Sequence, residues 1–535
     1  MKGDDRDDAY NTGQKTNSGR NLVKHGSALS LLTLISRILG LVREMTKASL
    51  LGTSALSDAF SVAFMIPNLF RRLFAEGSVS VAFIPTFKEY LLKNDQKKIR
   101  EFLICIFTFL TFFVSLAVMI GILLTPVIVP FFGMAEFDET VFLTRIMFPF
   151  LAFISLAALF QGILNSLHIF TPSGLAPILL NLVTILCSYG LSPFTKNPAR
   201  AMATGIFIGG FLEAAIQLPF VIKKGYVFFF VSLKRAAKNP GVRTVLRLIG
   251  PTIIGMAAYQ LNDLVSTALA GNAGEGIVSS LQYSLRLQEL ILGVFAVSIG
   301  TVLLPDLAEY AKSVRWDIYN KRLGSAMQII ALITIPVTFF SLAEGQSLIR
   351  LLFQTRSFNE DSVSLTLAAF VFHMPGLFFI ALNRILAPAF YAQSDSRSPA
   401  LAGIISFVVN IVLAVILVRP IRGSGIALAL SLASVVNTAL LLIFLRKNPN
   451  IAVGRALGSA LMYTLKMILF SAVAILPVLR LNPFLAAVFA GRNRFIALGI
   501  PILINALVFG AVGILLLFIS RDRQLMALVK LLKRK

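Results

Sequence analysis

Stretches of about 20 predominantly apolar residues recur along the whole 535-residue chain, and that recurrence constrains the fold more than any other feature. A bilayer core about 30 Å thick takes roughly 20 helical residues to cross. Backbone polar groups inside it have no water to bond and must satisfy one another within the helix. On that ruler helices are predicted near 26–50, 56–86, 102–130, 140–166, 173–194, 200–222, 244–270, 277–310, 322–345, 362–392, 398–419, 424–446, 457–480 and 495–520. The composition points the same way: 57% of residues are apolar and 14% charged, against about 25% charged in an ordinary soluble chain. The expected fold is therefore an all-α polytopic membrane protein with 14 transmembrane helices.

Residues 1–25 are polar and of mixed charge, too poor in apolar side chains to bury a core, and are expected to form a disordered cytoplasmic tail. No cleavage pattern follows them, and the next apolar stretch carries Arg37 and Arg43, which argues against a removable signal peptide. An even number of crossings puts both termini on one side. With the tail inside, the inner segments carry 30 Lys and Arg and the outer connections 11, Lys47 among the latter. The positive-inside rule then places both ends in the cytoplasm. Cys105 and Cys187 lie inside apolar runs, and the three histidines are scattered, so no disulfide framework or metal constellation is expected.

The chain also repeats. VAFIPTFKEY (81–90) is answered by TVLLPDLAEY (301–310), so Pro85, Glu89 and Tyr90 recur 220 residues on as Pro305, Glu309 and Tyr310. Pro149 and Pro172 recur approximately as Pro375 and Pro399, and Asn181 as Asn410. Two related six-helix lobes in parallel repeat are expected, 26–222 and 244–446, joined by a basic cytoplasmic linker, 223–243. Two further helices within 457–520 and a basic cytoplasmic tail, 521–535, complete the chain. Parallel repeats are a transporter device, with the site at their interface.

Ionisable side chains within membrane helices are costly and normally face a cavity or a partner. They cluster here in SRILGLVRE (36–44), SDAFSVAFMIPNLFRRLFAEG (57–77) and YSLRLQELILG (283–293), which supply Arg37, Arg43, Glu44, Asp58, Arg71, Arg72, Glu76, Arg286 and Glu289. Arg37 and Glu44 share a helix face, while Arg72–Glu76 and Arg286–Glu289 are spaced for pairing on one helix. The guanidiniums outnumber the acids. A planar guanidinium fork matches phosphate oxygens, so an anionic, phosphorylated ligand is expected between the lobes. Pro67 should kink the second helix beside Asn68, as a gate would need. In the second lobe Asp263, beside Asn262, and Asn410 form a candidate site for Na⁺ or H⁺, with a helix-packing hydrogen bond as the competing use. The basic loop 225–243 and the C-terminal QLMALVKLLKRK suit anionic lipid headgroups rather than nucleic acid. No nucleotide-binding loop is present, so no cofactor is expected.

The runs SRILGLVRE, SDAFSVAFMIPNLFRRLFAEGSVSVAFIP and RLQELILGVFAVSIGTVLLP resemble signature segments of the MurJ (MviN) family, bacterial lipid II flippases of the multidrug/oligosaccharidyl-lipid/polysaccharide exporter superfamily. The resemblance runs from about residue 24 to about 520. It implies a transporter of the cytoplasmic membrane that carries the undecaprenyl-pyrophosphate-linked peptidoglycan precursor, lipid II, to the outer leaflet for cell-wall synthesis. The family's cavity charges would fall on Arg37, Arg43, Asp58, Arg71 or Arg72, Arg286 and Glu289, with Glu44, Asn68 and Glu76 as gate or pairing residues. The last two helices would form a groove for the polyprenyl tail. Some members bind sodium in the second lobe; here Asp263 and Asn410 correspond, but Ala414 stands one turn after Asn410, which weakens that match. A flippase for another polyprenyl-linked glycan shares this architecture. A membrane enzyme on such substrates would need an acid or histidine base that the external stretches do not offer.

Overall fold

The computed structural model describes residues 31–72 and 82–526. Each of the fourteen expected segments is predominantly helical over its described residues, with short breaks such as 148–149, 216–217 and 374–375, and no strand occurs among the described residues. Among the described residues eight helices are long and apolar enough to cross a membrane, or nine if Glu360–His373 and Gly376–Tyr391, bent by 48°, are one span. The chain is an all-helical, multi-pass membrane protein. Glu76 and the stretches 1–30 and 527–535 lie outside the described residues.

Helix starts follow local chemistry. Asp95 accepts from the Lys97 and Lys98 amides at 3.1 and 3.2 Å and opens Gln96–Ile128; those amides hold its carboxyl below the usual carboxylate range. Asn197 opens Pro198–Ala215 and Asn359 opens Glu360–His373 by the same capping bond. One 49-residue helix, Arg397–Leu445, departs from helical geometry at Ile421 and Arg422. Ser406 Oγ donates to Ala433 O at 2.7 Å, and a Cβ on Gly425 would lie 2.2 Å from Leu417 O. Both approaches join residues placed about evenly on either side of that point, so the chain reverses there, as expected between the eleventh and twelfth segments.

The sequence repeat has a backbone counterpart. Asn94 and Val314, 220 residues apart like Pro85 and Pro305, both take left-handed conformations, φ 51° and 58°. His168 and Ser394, 226 apart like Pro149 and Pro375, do the same at φ 60° and 63°. After each the chain closes the same turn: Ile169 N donates to Leu164 O at 2.9 Å and Asp395 N to Phe390 O at 3.0 Å. In both halves a proline then starts the second of two broken helices, Phe150–Ser166 after Pro149 and Gly376–Tyr391 after Pro375.

The chain folds into two compact units, one of Met1–Leu51 and Ala59–Gln260, the other of Gly52–Asp58 and Leu261–Lys535. In the first, Thr171–Gly190 and Pro198–Ala215 approach so closely that a Cβ on Gly205 would lie 2.9 Å from the Thr184 backbone. Small residues at such crossings let membrane helices pack by van der Waals attraction. In the second, Trp316–Phe353 packs against Val453–Val488 and Arg494–Ile519 through Ala331, Ile335, Met467 and Leu517 and through Ala474, Val478 and Phe509.

Candidate functional site

In the first unit, helix 31–51 runs antiparallel to the following helix, Ala55–Arg71. Lys47 Nζ donates to Ser61 Oγ, and the Arg43 guanidinium lies 5.7 Å from the Phe64 ring, so the pairings step backward along one helix as they step forward along the other. By that register Arg37 is level with Arg71. With about 1.5 Å of rise per residue, Lys47, Arg43 and Arg37 occupy successive levels ~6 and ~9 Å apart. The described part of this hairpin within the first unit carries five cations, Arg37, Arg43, Lys47, Arg71 and Arg72, and one acid, Glu44.

Arg43 is held from several sides. Its Nη1 donates to Asn181 Oδ1 at 3.1 Å, its Nη2 to Glu44 Oε1 at 3.0 Å, and its side chain is 13% exposed. Asn181 Nδ2 in turn donates to Ser36 O. These contacts hold the guanidinium in a set orientation, which removes rotamer freedom from a long side chain. Glu44 takes this bond from its sequence neighbour; adjacent side chains on a helix normally diverge, so spacing favoured a face shared with Arg37 instead. Arg37 is exposed, and Arg71 Nε donates to Asn68 Oδ1 at 2.7 Å. The helix continues through Pro67 to Arg71.

Lys47 is a correction. The sequence placed it in an outer connection, whereas it sits inside helix 31–51, 3% exposed, with its ammonium near the Phe60 ring. Its spacing of four from Arg43 puts both on one helix face and was the signal available.

In the second unit Asp58, 4% exposed, accepts from the Gly276 amide at 2.7 Å and the Ser279 amide at 2.8 Å, at the start of Ile277–Lys312. A carboxylate there satisfies two orphan amides and opposes the positive end of the helix dipole. Glu275 Oε1 returns the arrangement by accepting from Ala55 N at 2.9 Å, so each helix start is capped by an acid preceding or beginning the other. Gly52 and Gly276 make the close approach: both have positive φ, and a Cβ would meet Ser357 O at 2.1 Å and Thr53 O at 2.3 Å. Tyr283 adds a bond to Gly52 O at 3.1 Å. Asp58 thus serves a capping role that spacing did not reveal.

Arg286 and Glu289 pair at 3.0 Å as their i,i+3 spacing predicts, and both are exposed. Asn410, 2% exposed, donates to Asn262 Oδ1 at 2.7 Å and Ser266 Oγ at 3.3 Å, and Asp263 adjoins on the same helix as those two. No group of three or more His, Cys, Asp or Glu suited to a metal occurs among the described residues.

The fold is shared with solved membrane proteins. A solved multidrug MATE transporter in the inward-facing conformation is similar at TM-score 0.67 and 12% identity, covering 79% of this chain and 95% of that one. A lipid II flippase MurJ in an inward closed conformation is similar at TM-score 0.76 and 24% identity, covering 92% and 99%. The family model described as lipid II flippase MurJ matches residues 47–491, and the chain belongs to that family, whose members are transporters rather than catalytic enzymes. A probable lipid II flippase MurJ of Treponema pallidum (strain Nichols) is 46% identical over 511 residues, 94% of this chain and 97% of that protein. The lipid II flippase MurJ of Burkholderia cenocepacia is 32% identical over 437 residues, 80% and 84% of the two.

Proposed function

We propose that the protein moves lipid II from the cytoplasmic to the outer leaflet of the bacterial inner membrane by alternating access, with the pyrophosphate held by guanidinium groups. Family membership supports the substrate, and the cationic ladder of Lys47, Arg43 and Arg37 carries the binding role. Arg43 is the principal phosphate ligand. Arg37, Arg71, Arg72 and Arg286 add charge, Glu289 orients Arg286, and Glu44 and Asn68 hold Arg43 and Arg71. Asp58 contributes by fixing a helix start rather than by touching substrate. Glu76 completes the set by sequence spacing.

The pyrophosphate head enters from the cytoplasmic side, where both termini lie, while the polyprenyl tail stays in lipid along the last two helices. Leu461, Leu465, Leu469, Leu503 and Leu507 on those helices are all more than half exposed and give the tail an apolar surface. Rocking of the halves then exposes the head outward. No bond is made or broken. An inside-negative potential favours the outward passage of an anion by about 2.3 kcal/mol per charge per 100 mV. Coupling to Na⁺ or H⁺ at Asp263 and Asn410 is a separate part of the proposal. In its favour, Asn410 Oδ1 is buried with no hydrogen-bond partner among the described residues. Anionic lipids at the basic loop and cell-wall synthesis proteins are the proposed partners.

The test is reconstitution in vesicles with fluorescent lipid II, with and without an imposed potential and a sodium gradient. Expected is transbilayer movement that an inside-negative potential accelerates and that Arg286→Gln slows at least about tenfold. Equal movement of other polyprenyl-pyrophosphate glycans would overturn the substrate assignment, and undiminished movement in Arg286→Gln its role in the site.

A further inference from the structure

A carboxyl group in the membrane-spanning core of the second unit takes its hydrogen bond from an amide, not a cation. Glu344, on Trp316–Phe353, is 1% exposed, and Asn505, on Arg494–Ile519, is wholly buried. Asn505 Nδ2 donates to Glu344 Oε1 at 2.7 Å. The remaining oxygen of the carboxylate, Glu344 Oε2, and the carbonyl oxygen of the amide, Asn505 Oδ1, are both buried without a hydrogen-bond partner among the described residues. Asn505 is the twelfth residue of its 26-residue helix, ~16 Å from the Arg494 end at about 1.5 Å per residue, near the middle of a core about 30 Å thick. Packed alongside are Ala474, Ile475, Val478 and Phe509.

The charged groups of the neighbouring elements are engaged elsewhere or face outward. Arg350 pairs with Glu360 at 2.7 Å, Lys466 with Asp522 at 2.7 Å, and His373 Nδ1 bonds Ser284 Oγ at 2.7 Å. Arg384, Arg455 and Arg480 are exposed, and Arg480, two residues beyond buried Val478, lies on the opposite helix face. Arg286 and Glu289 bond each other, and Arg494 begins its own helix. Asp317, Lys321, Arg322 and Asp361 are exposed.

The Ser347 hydroxyl, one turn on along the same helix, also lies within hydrogen-bonding reach of the Glu344 carboxyl, yet Oε2 and Asn505 Oδ1 have no partner among the described residues; an ionised Glu344 would leave both acceptors unsatisfied, besides a net charge at mid-membrane. One proton resolves both. On Oε2 it turns an acceptor into an O–H donor, and a carboxylic acid beside a carboxamide then pairs reciprocally, N–H to Oε1 and O–H to Oδ1. We propose that Glu344 is a proton-binding site: its carboxyl takes up one proton from water, shares it with Asn505 Oδ1, and so fastens helix Arg494–Ile519 to helix Trp316–Phe353. The site stands apart from the lipid II reading and does not require it.

Infrared difference spectra of the full-length protein, wild type minus Glu344→Gln, test it in detergent at neutral pH. Expected is a protonated-carboxyl C=O band that shifts in D₂O and is indifferent to exchanging choline chloride for sodium chloride. Glu344→Gln, whose amide N–H replaces the O–H, should melt with the wild type. Asn505→Leu should melt lower and move the carboxyl band to higher frequency as its hydrogen bonds are lost, a readout that survives if the glutamine variant does not fold. A carboxylate band in place of the acid band, a frequency unchanged by Asn505→Leu, or a band abolished by sodium would each overturn the proposal, the last in favour of a metal cation.

Discussion

The same helix junction is built twice in this chain from different chemistry. In the first half, Asn181 of Thr171–Gly190 receives the Arg43 guanidinium at 3.1 Å; in the second, Asn410 donates to Asn262 Oδ1 at 2.7 Å and to Ser266 at 3.3 Å. Asn181 and Asn410 are repeat partners, and Arg43 and Asn262 are 219 residues apart, close to the 220 that separates Asn94 from Val314. One copy holds a cation at this place and the other neutral amides. Amides suffice to join such helices, so fastening alone does not call for a guanidinium at Arg43. A few kcal/mol of burial cost at that position is what a charge retained for a ligand would entail.

The comparison breaks most readily at Arg43. Arg43→Gln keeps a donor for Asn181 and removes the charge, so transport of fluorescent lipid II in vesicles should fall by about 10–100-fold, the equivalent of one charge-assisted hydrogen bond of about 1.5–3 kcal/mol. Its melting temperature should stay with the wild type; retained transport would mean that the two junctions are both merely structural. Asn410→Leu sharpens the other side. Loss of two hydrogen bonds should cost about 1 kcal/mol each in thermal unfolding, and lipid II movement should lose its response to the sodium or proton gradient. An unchanged response in this variant would leave the amide junction as a fastening alone and remove the proposed ion site.

Asp58→Asn probes the capped helix start, where one of two amide bonds is lost; about 1–2 kcal/mol of stability should go, with transport nearly intact, in contrast to Arg43→Gln. The smallest effect is on the pH response of Asp522. Burial raises its pKa, but the Lys466 ammonium, the Leu525 amide and the Tyr463 hydroxyl outweigh burial and hold the carboxyl below its usual range. A depressed folded-state value gives stability that is complete above the unfolded carboxylate value of about 4 and is lost as pH falls through the folded value. Melting curves of wild type and Asp522→Asn should therefore differ at pH 7 and converge in acid.

The helices were legible because apolar length is a one-dimensional signal. The turn at Ile421–Arg422 was legible too, where Pro420 and Gly423 interrupt the run. The Arg286–Glu289 pair followed from spacing within one helix. What stayed hidden involves two segments at once: Lys47 with Ser61, Arg43 with Asn181, and Asp58 with Gly276, 218 residues away. No periodicity encodes which remote amide a carboxylate will meet. The Arg43–Glu44 bond was missed for a local reason, since neighbours on a helix seldom turn toward each other.

Asp58 also bears on any attempt to divide the protein. It lies in the chain among the first helices but belongs in space with Leu261–Lys535. A fragment beginning at residue 261 would therefore carry Ile277–Lys312 with its first amides uncovered. Co-expressed halves should assemble better when the cut leaves residues 52–58 able to reach that end, or when a short peptide bearing the acid is supplied in trans.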